Sequence, residues 1–148
     1  MSATIGVAFL GVGRMGETHL RNLAGLNGVR VVAIADPNPE TAERGKVLAN
    51  AEVAMTDIVK AISYPGVDAV VIVTPTETHA RLIEYAIGAG KAVFSEKPIA
   101  LDLAETAKVV SLVKEKKALV QIGFMRRFDP GYAKAKERIV AGELGKLE

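Results

Sequence analysis

The chain has 148 residues, 49% of them apolar, which is enough for one well-formed core, since a domain of ~150 residues buries roughly 70% of the surface its unfolded chain exposes. A formal net charge of +2, with bases and acids interspersed as in Lys114-Glu115-Lys116-Lys117, argues against nucleic acid or a membrane surface as a partner. With no cysteine and only His19 and His79 as histidines, a disulfide framework, thiolate catalysis and a histidine-rich metal site are excluded, and the absence of any long apolar run or basic leader makes the expectation cytoplasmic and metal-free.

In chain order, Ile5 to Leu10 reads as a strand that runs at once into Gly11-Val12-Gly13-Arg14-Met15-Gly16 and a helical segment from Arg14 to Leu26. In a strand-turn-helix the first glycine of such a loop permits the tight turn. The second lets backbone approach a pyrophosphate, and the third lets the helix sit close to the sheet. The free N–H groups and dipole of the helix start favour the phosphate charge. The second strand, Val29 to Ala35, ends at Asp36, 20 residues past Gly16, where an acid meets the adenosine ribose of a dinucleotide. A charge-assisted hydrogen bond there contributes ~1.5–3 kcal/mol and the same carboxylate repels a 2′-phosphate, so the expected cofactor is NAD rather than NADP. The competing reading is that Asp36 only begins the turn Asp36-Pro37-Asn38-Pro39.

Asn38 before Pro39 predicts the cap of a second helix, Glu52 to Ala54 a weak strand, and Thr56 the cap of a third helix. Ala69 to Val73 is the next strand, followed by Thr74-Pro75-Thr76-Glu77-Thr78-His79. Ala92 to Ser95 precedes Glu96-Lys97-Pro98, Asp102 with Glu105 marks another helix start, and Leu119 to Phe124 is the last strand. Met125-Arg126-Arg127-Phe128 leads to a helix capped by Asp129-Pro130, and Gly88, Gly90, Gly142 and Gly145 punctuate helix ends. Continuous apolar strands alternating with helices imply an α/β, doubly wound, mostly parallel sheet of about six strands, the Rossmann arrangement. Residues 1–141 form one dinucleotide-binding domain, and 142–148 either begin a following domain or are a tail. Thr74, Pro75 and Thr76 fall where the strand order should reverse, at the cofactor crevice; helix capping by Thr74 or Thr76 is the plainer role. Arg126 or Arg127 caps a strand end or pairs with Asp129 on the bland reading, His19 is structural, and His79 is a hydrogen-bonding residue at a helix start.

The glycine loop, Asp36, Thr74-Pro75-Thr76-Glu77-Thr78-His79 and Glu96-Lys97-Pro98, in this order, resemble the N-terminal domain of the glucose-fructose oxidoreductase, inositol dehydrogenase and rhizopine-catabolism (Gfo/Idh/MocA) family. Phe124-Met125-Arg126-Arg127-Phe128-Asp129-Pro130 narrows the resemblance towards the inositol 2-dehydrogenase branch. The resemblance implies an NAD-dependent dehydrogenase moving hydride between a secondary alcohol of an inositol-like polyol or sugar and the nicotinamide. It makes Lys97 the catalytic residue at the substrate hydroxyl, since desolvation tunes an amine for proton transfer near neutral pH. It places Gly11 to Gly16, Asp36, Thr74 to Thr76, His79, Glu96 and Lys97 at the cofactor, and Lys97, Met125 and Arg127 at the substrate. It further implies a cis Lys97-Pro98 peptide, and a second, α+β domain beyond this chain that supplies an aspartate and a histidine for the proton relay, most substrate contacts and a homo-oligomer interface. The fragment alone should then be inactive. Two other readings stand beside this one: a non-catalytic dinucleotide-sensing or interaction module in which Lys97 is idle, and a reductase of the same fold acting on a different carbonyl.

Overall fold

The computed structural model describes residues 4–146. Six strands, β1 (Ile5–Leu10), β2 (Val29–Ala35), β3 (Val53–Met55), β4 (Ala69–Ile72), β5 (Ala92–Ser95) and β6 (Val120–Ile122), form one sheet in the order β3-β2-β1-β4-β5-β6. All five pairings are parallel, so the sheet is wholly rather than mostly parallel. Parallel neighbours need crossovers, and these are α1 (Arg14–Ala24), α2 (Pro39–Ala49), α3 (Ile58–Ile62), α4 (His79–Gly88) and α5 (Leu103–Lys116); α6 (Pro130–Val140) follows the last strand. Among the described residues no helix is long and apolar enough to cross a membrane, and no group of His, Asp and Glu is placed to hold a metal ion.

The sheet buries both faces, which is why its central strands are apolar at every position. Val7, Phe9, Val31 and Ile34 pack with Leu20 of α1 and Ala42 of α2 on one side, while Ala8, Leu10, Val32 and Val70 pack with Ile62 of α3 and Ile83 and Ala86 of α4 on the other. The alternation slips once: Val7 pairs with Val31 but Ala8 with Ala33, a bulge that puts Val32 and Ala33 on the same side. A bulge inside a continuous apolar run leaves no pattern to read, because either register keeps the face hydrophobic.

Four of the six helices start on a side-chain oxygen that accepts a backbone N–H. Asn38 receives Thr41 N at 3.0 Å, Asp57 receives Lys60 N at 3.0 Å, Asp102 receives Glu105 N at 2.8 Å, and Asp129 receives Gly131 N at 2.9 Å. The third corrects nothing, but the second does: Asp57, not Thr56, caps α3, since its carboxylate lies one residue nearer the free N–H groups and is the better acceptor. Other boundaries move by a residue or two. The weak strand is Val53–Met55, its register set by β2 through the pairing of Ala35 with Met55. Strand β4 ends at Ile72, and α1 ends at Ala24 on a Gly25 cap. The edge strand β6 is confined to the three residues that face Val93 to Ser95. Within 142–148, Gly142 and Gly145 adopt left-handed conformations after α6, and Leu147 and Glu148 lie outside the described residues.

Truncating Ile83, which is fully buried beneath the sheet, to alanine is expected to destabilise the fold by ~2–5 kcal/mol, whereas Val47→Ala at a site 76% exposed should stay within ~0.5 kcal/mol. Urea unfolding followed by circular dichroism checks both.

Candidate functional site

Strands β1 and β4 are neighbours at the centre of the sheet, and their carboxyl ends lead to α1 on one face and α4 on the other. That divergence opens the crevice where a doubly wound sheet binds its ligand. Gly11 makes the turn out of β1 with φ +88°, and a Cβ there would stand 2.7 Å from Val73 O and 2.9 Å from Thr74 N. Only glycine meets both demands. A Cβ on Gly16 would run into the carbonyl of Gly11, so the third glycine lets α1 settle onto the turn. Gly13 differs from both. Its φ of −71° suits any residue, and a Cβ would meet nothing within 4 Å. Nothing in the protein itself requires glycine there; the bare backbone keeps space clear in front of it.

That space faces the start of α1. Gly13 is its N-cap and no side chain caps it, so the N–H groups of Arg14, Met15 and Gly16 are left for another acceptor. Arg14 and Met15 are exposed, while Val12 is fully buried against Gly45 of α2, anchoring the loop to the core. Asp36, half-buried at the end of β2, receives Val12 N on Oδ2 at 2.9 Å and Asn38 N on Oδ1 at 3.0 Å. It therefore both begins the Asp36-Pro37-Asn38-Pro39 turn and holds the glycine loop, with lone pairs remaining on each oxygen for an outside donor. Uncapped amides, open backbone at Gly13 and a carboxylate one strand away match the needs of a diphosphate followed by a ribose.

On the β4 side, Thr78 gives its hydroxyl proton to Pro75 O at 2.7 Å, and Thr74 Oγ1 lies 2.6 Å from Thr78 Oγ1. Since Thr78 has one hydroxyl proton and Pro75 O takes it, Thr74 is the donor of the pair. Neither Thr74 nor Thr76 caps a helix; Thr76–Thr78 is a 3₁₀ turn with no side-chain cap, and the Thr74 and Thr78 hydroxyls brace the loop. His79, 2% exposed, lies behind this loop with Nε2 2.8 Å from Thr74 O and Nδ1 2.7 Å from Pro98 O. Its ring is enclosed by protein, so it supports the crevice wall rather than presenting a side chain to a cofactor.

Strand β5 ends at Ser95, and Glu96 turns inward. One oxygen meets His19 Nε2 of α1 at 2.8 Å, and the other receives Lys97 N at 3.1 Å. The Glu96 carboxylate thus ties α1 to the Lys97 turn. Lys97-Pro98 is cis, as the resemblance implies. Lys97 is exposed and lines a cavity of about 310 Å³ together with Gly123, Phe124, Met125, Arg126 and Arg127. Arg126 is drawn aside by Asp129 at 3.3 Å and lies over the Tyr132 ring at 5.0 Å. Arg127 and the Lys97 amine make no ion pair or hydrogen bond among the described residues, so two free cations face this cavity. The structure thus brings Lys97, Met125 and Arg127 together on the sheet edge that also carries the glycine loop. The link from His19 to Glu96 was not read from the sequence; its one trace is a histidine three residues past Gly16, on the face of α1 that turns to the sheet.

A profile of the oxidoreductase family with an NAD-binding Rossmann fold, Gfo/Idh/MocA, matches residues 5–124. The scyllo-inositol 2-dehydrogenase (NAD(+)) of Bacillus subtilis is 44% identical over 147 residues, and the inositol 2-dehydrogenase of Rhizobium meliloti 41% identical over 145. These matches take in 99% and 98% of this chain but 43% of each relative, so the chain spans less than half the length of the curated relatives it matches. Among solved structures, scyllo-inositol dehydrogenase from Lactobacillus casei with bound NAD(H) and scyllo-inositol superposes with a TM-score of 0.89 at 34% identity, over 97% of this chain and 43% of that one. Myo-inositol 2-dehydrogenase from Lactobacillus plantarum gives a TM-score of 0.90 at 35% identity, with the same shares covered. With its strand order, its glycine loop and these likenesses in agreement, the chain belongs to the Gfo/Idh/MocA oxidoreductase family and is an NAD-binding Rossmann domain of it.

Proposed function

We propose that this chain is the cofactor-holding part of a dehydrogenase that moves hydride between a secondary alcohol of an inositol-like polyol and NAD. The observation that carries the reading is Lys97, exposed on the wall of the cavity that Met125 and Arg127 share, on the same edge of a parallel sheet as the glycine loop. Polyol chemistry is what the names of the relatives describe, and the free Lys97 and Arg127 cations offer donors to polyol hydroxyls beside the apolar Phe124 and Met125 that line the same cavity.

The residues divide the work. Backbone N–H groups of Arg14, Met15 and Gly16 at the start of α1 bind the diphosphate, with Gly11, Gly13 and Gly16 giving it access, while the Val12 N–H of the same loop holds Asp36 in place. Asp36 accepts from the adenosine ribose and disfavours a 2′-phosphate. Thr74, Pro75 and Thr76 contact the nicotinamide half by backbone and hydroxyl, and Glu96 and His79 hold the wall behind. When bound, the nicotinamide ring supplies the hydride acceptor. The Lys97 amine sits at the substrate hydroxyl and takes part in removing its proton, while Arg127 and Met125 orient the polyol. Relay partners for Lys97, most substrate contacts and a homo-oligomer interface come from the part of the relatives that this chain does not span. Binding without full positioning leaves little catalysis, because orientation alone supplies several kcal/mol of a barrier. A sensor with an idle Lys97 has no observation in its favour.

Three outcomes follow from this assignment. Gly13→Ala should leave the thermal midpoint almost unchanged, because the added methyl meets open space, yet weaken NAD binding by about tenfold or more in a calorimetric titration; unchanged affinity would count against the diphosphate site. Asp36→Ser with Pro37→Arg should weaken NAD and gain NADP, each by about tenfold, the worth of one charge-assisted hydrogen bond; equal affinities before and after would remove the ribose role. In the reading frame carried through the second part present in the relatives, Lys97→Ala should lower kcat with inositol by ~10²–10⁴-fold at unchanged NAD affinity, and a fully active variant would leave a sensor as the better reading.

A further inference from the structure

We propose that His79 is a positioning residue: from its buried place at the start of α4 the ring Nδ1–H holds the Pro98 carbonyl beside Lys97, and so sets where the Lys97 side chain stands relative to bound cofactor. The inference rests on the function proposed above.

The segment from Lys97 to Leu101 lies between β5 and α5 and makes no backbone–backbone hydrogen bond among the described residues. Ala100 is buried in the core and Ile99 packs against it, and two hydrogen bonds hold the Lys97 end of the segment. Lys97 N donates to the side chain of the adjacent Glu96 at 3.1 Å, and Pro98 O meets His79 Nδ1 at 2.7 Å. Of these two hydrogen bonds the second alone reaches an element distant in sequence, and it lands on a ring that is 2% exposed and therefore has little room to move. The other ring nitrogen is 2.8 Å from Thr74 O, on the loop whose backbone contacts Gly11. Both partners are carbonyl oxygens and only accept, and a neutral imidazole carries one N–H; the bond that bears on Lys97 is the one from Nδ1–H to Pro98 O. An apolar side chain would fill the same place against the core of α4; the imidazole adds a donor that ties the Pro98 carbonyl to the start of that helix. The turn so tied carries the amine that must face the nicotinamide, and a misplacement of an ångström at such a centre is costly.

The two bonds can be separated. The amide nitrogen of asparagine reaches the position of Nδ1 and that of glutamine the position of Nε2, so H79N keeps the bond to Pro98 and H79Q the bond to Thr74. The readout is the rate at which Lys97 in this chain is acetylated by limiting acetic anhydride, followed by mass spectrometry with and without saturating NADH, whose affinity is titrated separately. In the wild type and in H79N, NADH is expected to slow labelling of Lys97 by about tenfold, and in H79Q by less than twofold with NADH affinity kept within threefold, the scale set by one hydrogen bond. Equal protection in H79N and H79Q would overturn the positioning role, since a merely structural histidine distinguishes nothing between them. Should H79Q melt below the assay temperature, His79→Phe, which keeps the ring and lacks both donors, takes its place with the same expected loss, and retained protection there would also overturn the role. A wild type that binds NADH without protecting Lys97 is a different pattern; it overturns the assignment of Lys97 and this inference with it.

Discussion

The site depends on one close approach of backbone to backbone. Where β1 and β4 part, Gly11 comes so near Val73 O and Thr74 N that no side chain fits between them. This contact brings the two loops of the crevice to a common edge while α1 and α4 leave for opposite faces. A parallel sheet in the order β3-β2-β1-β4-β5-β6 can place a ligand there because all the strand ends that matter point the same way. The tolerance at the contact is small, and the chain meets it with a residue that has both the φ and the missing Cβ.

Around that contact the site is braced by hydrogen bonds that cross between elements. Asp36 reaches from β2 to Val12, Glu96 from the end of β5 to His19 on α1, and His79 from α4 to Pro98, with its other ring nitrogen beside Thr74 O. Each joins a loop that would otherwise be free to a helix or strand packed in the core. Groups that would touch a ligand are correspondingly held before one arrives, which limits the ordering that binding requires. By contrast, Arg127 and the Lys97 amine are left without partners among the described residues, on the cavity they share with Met125.

The fold was legible because its signals are local. Apolar runs gave the strands, and Asn38, Asp102 and Asp129 gave helix starts through side-chain oxygens at the right offset. Asp57 displaced Thr56 because two adjacent residues can both cap and the sequence does not say which will. The bulge at Val32 was invisible because all its neighbours are apolar. In the site, the glycine loop and Asp36 were readable from spacing, and Lys97, Met125 and Arg127 from resemblance. His19 and Glu96 are 77 positions apart and meet only through the packing of α1 on the sheet, and the two acceptors of His79 are backbone atoms, which no side-chain pattern announces.

The central claim is that the uncapped start of α1 receives the diphosphate of NAD. Its most direct measurement is a titration of the ¹⁵N-labelled chain with NAD followed through backbone amide resonances. The account predicts saturable shifts that are largest at Gly13, Arg14, Met15 and Gly16. No shift at millimolar NAD, or shifts confined to the opposite edge of the sheet, would contradict it.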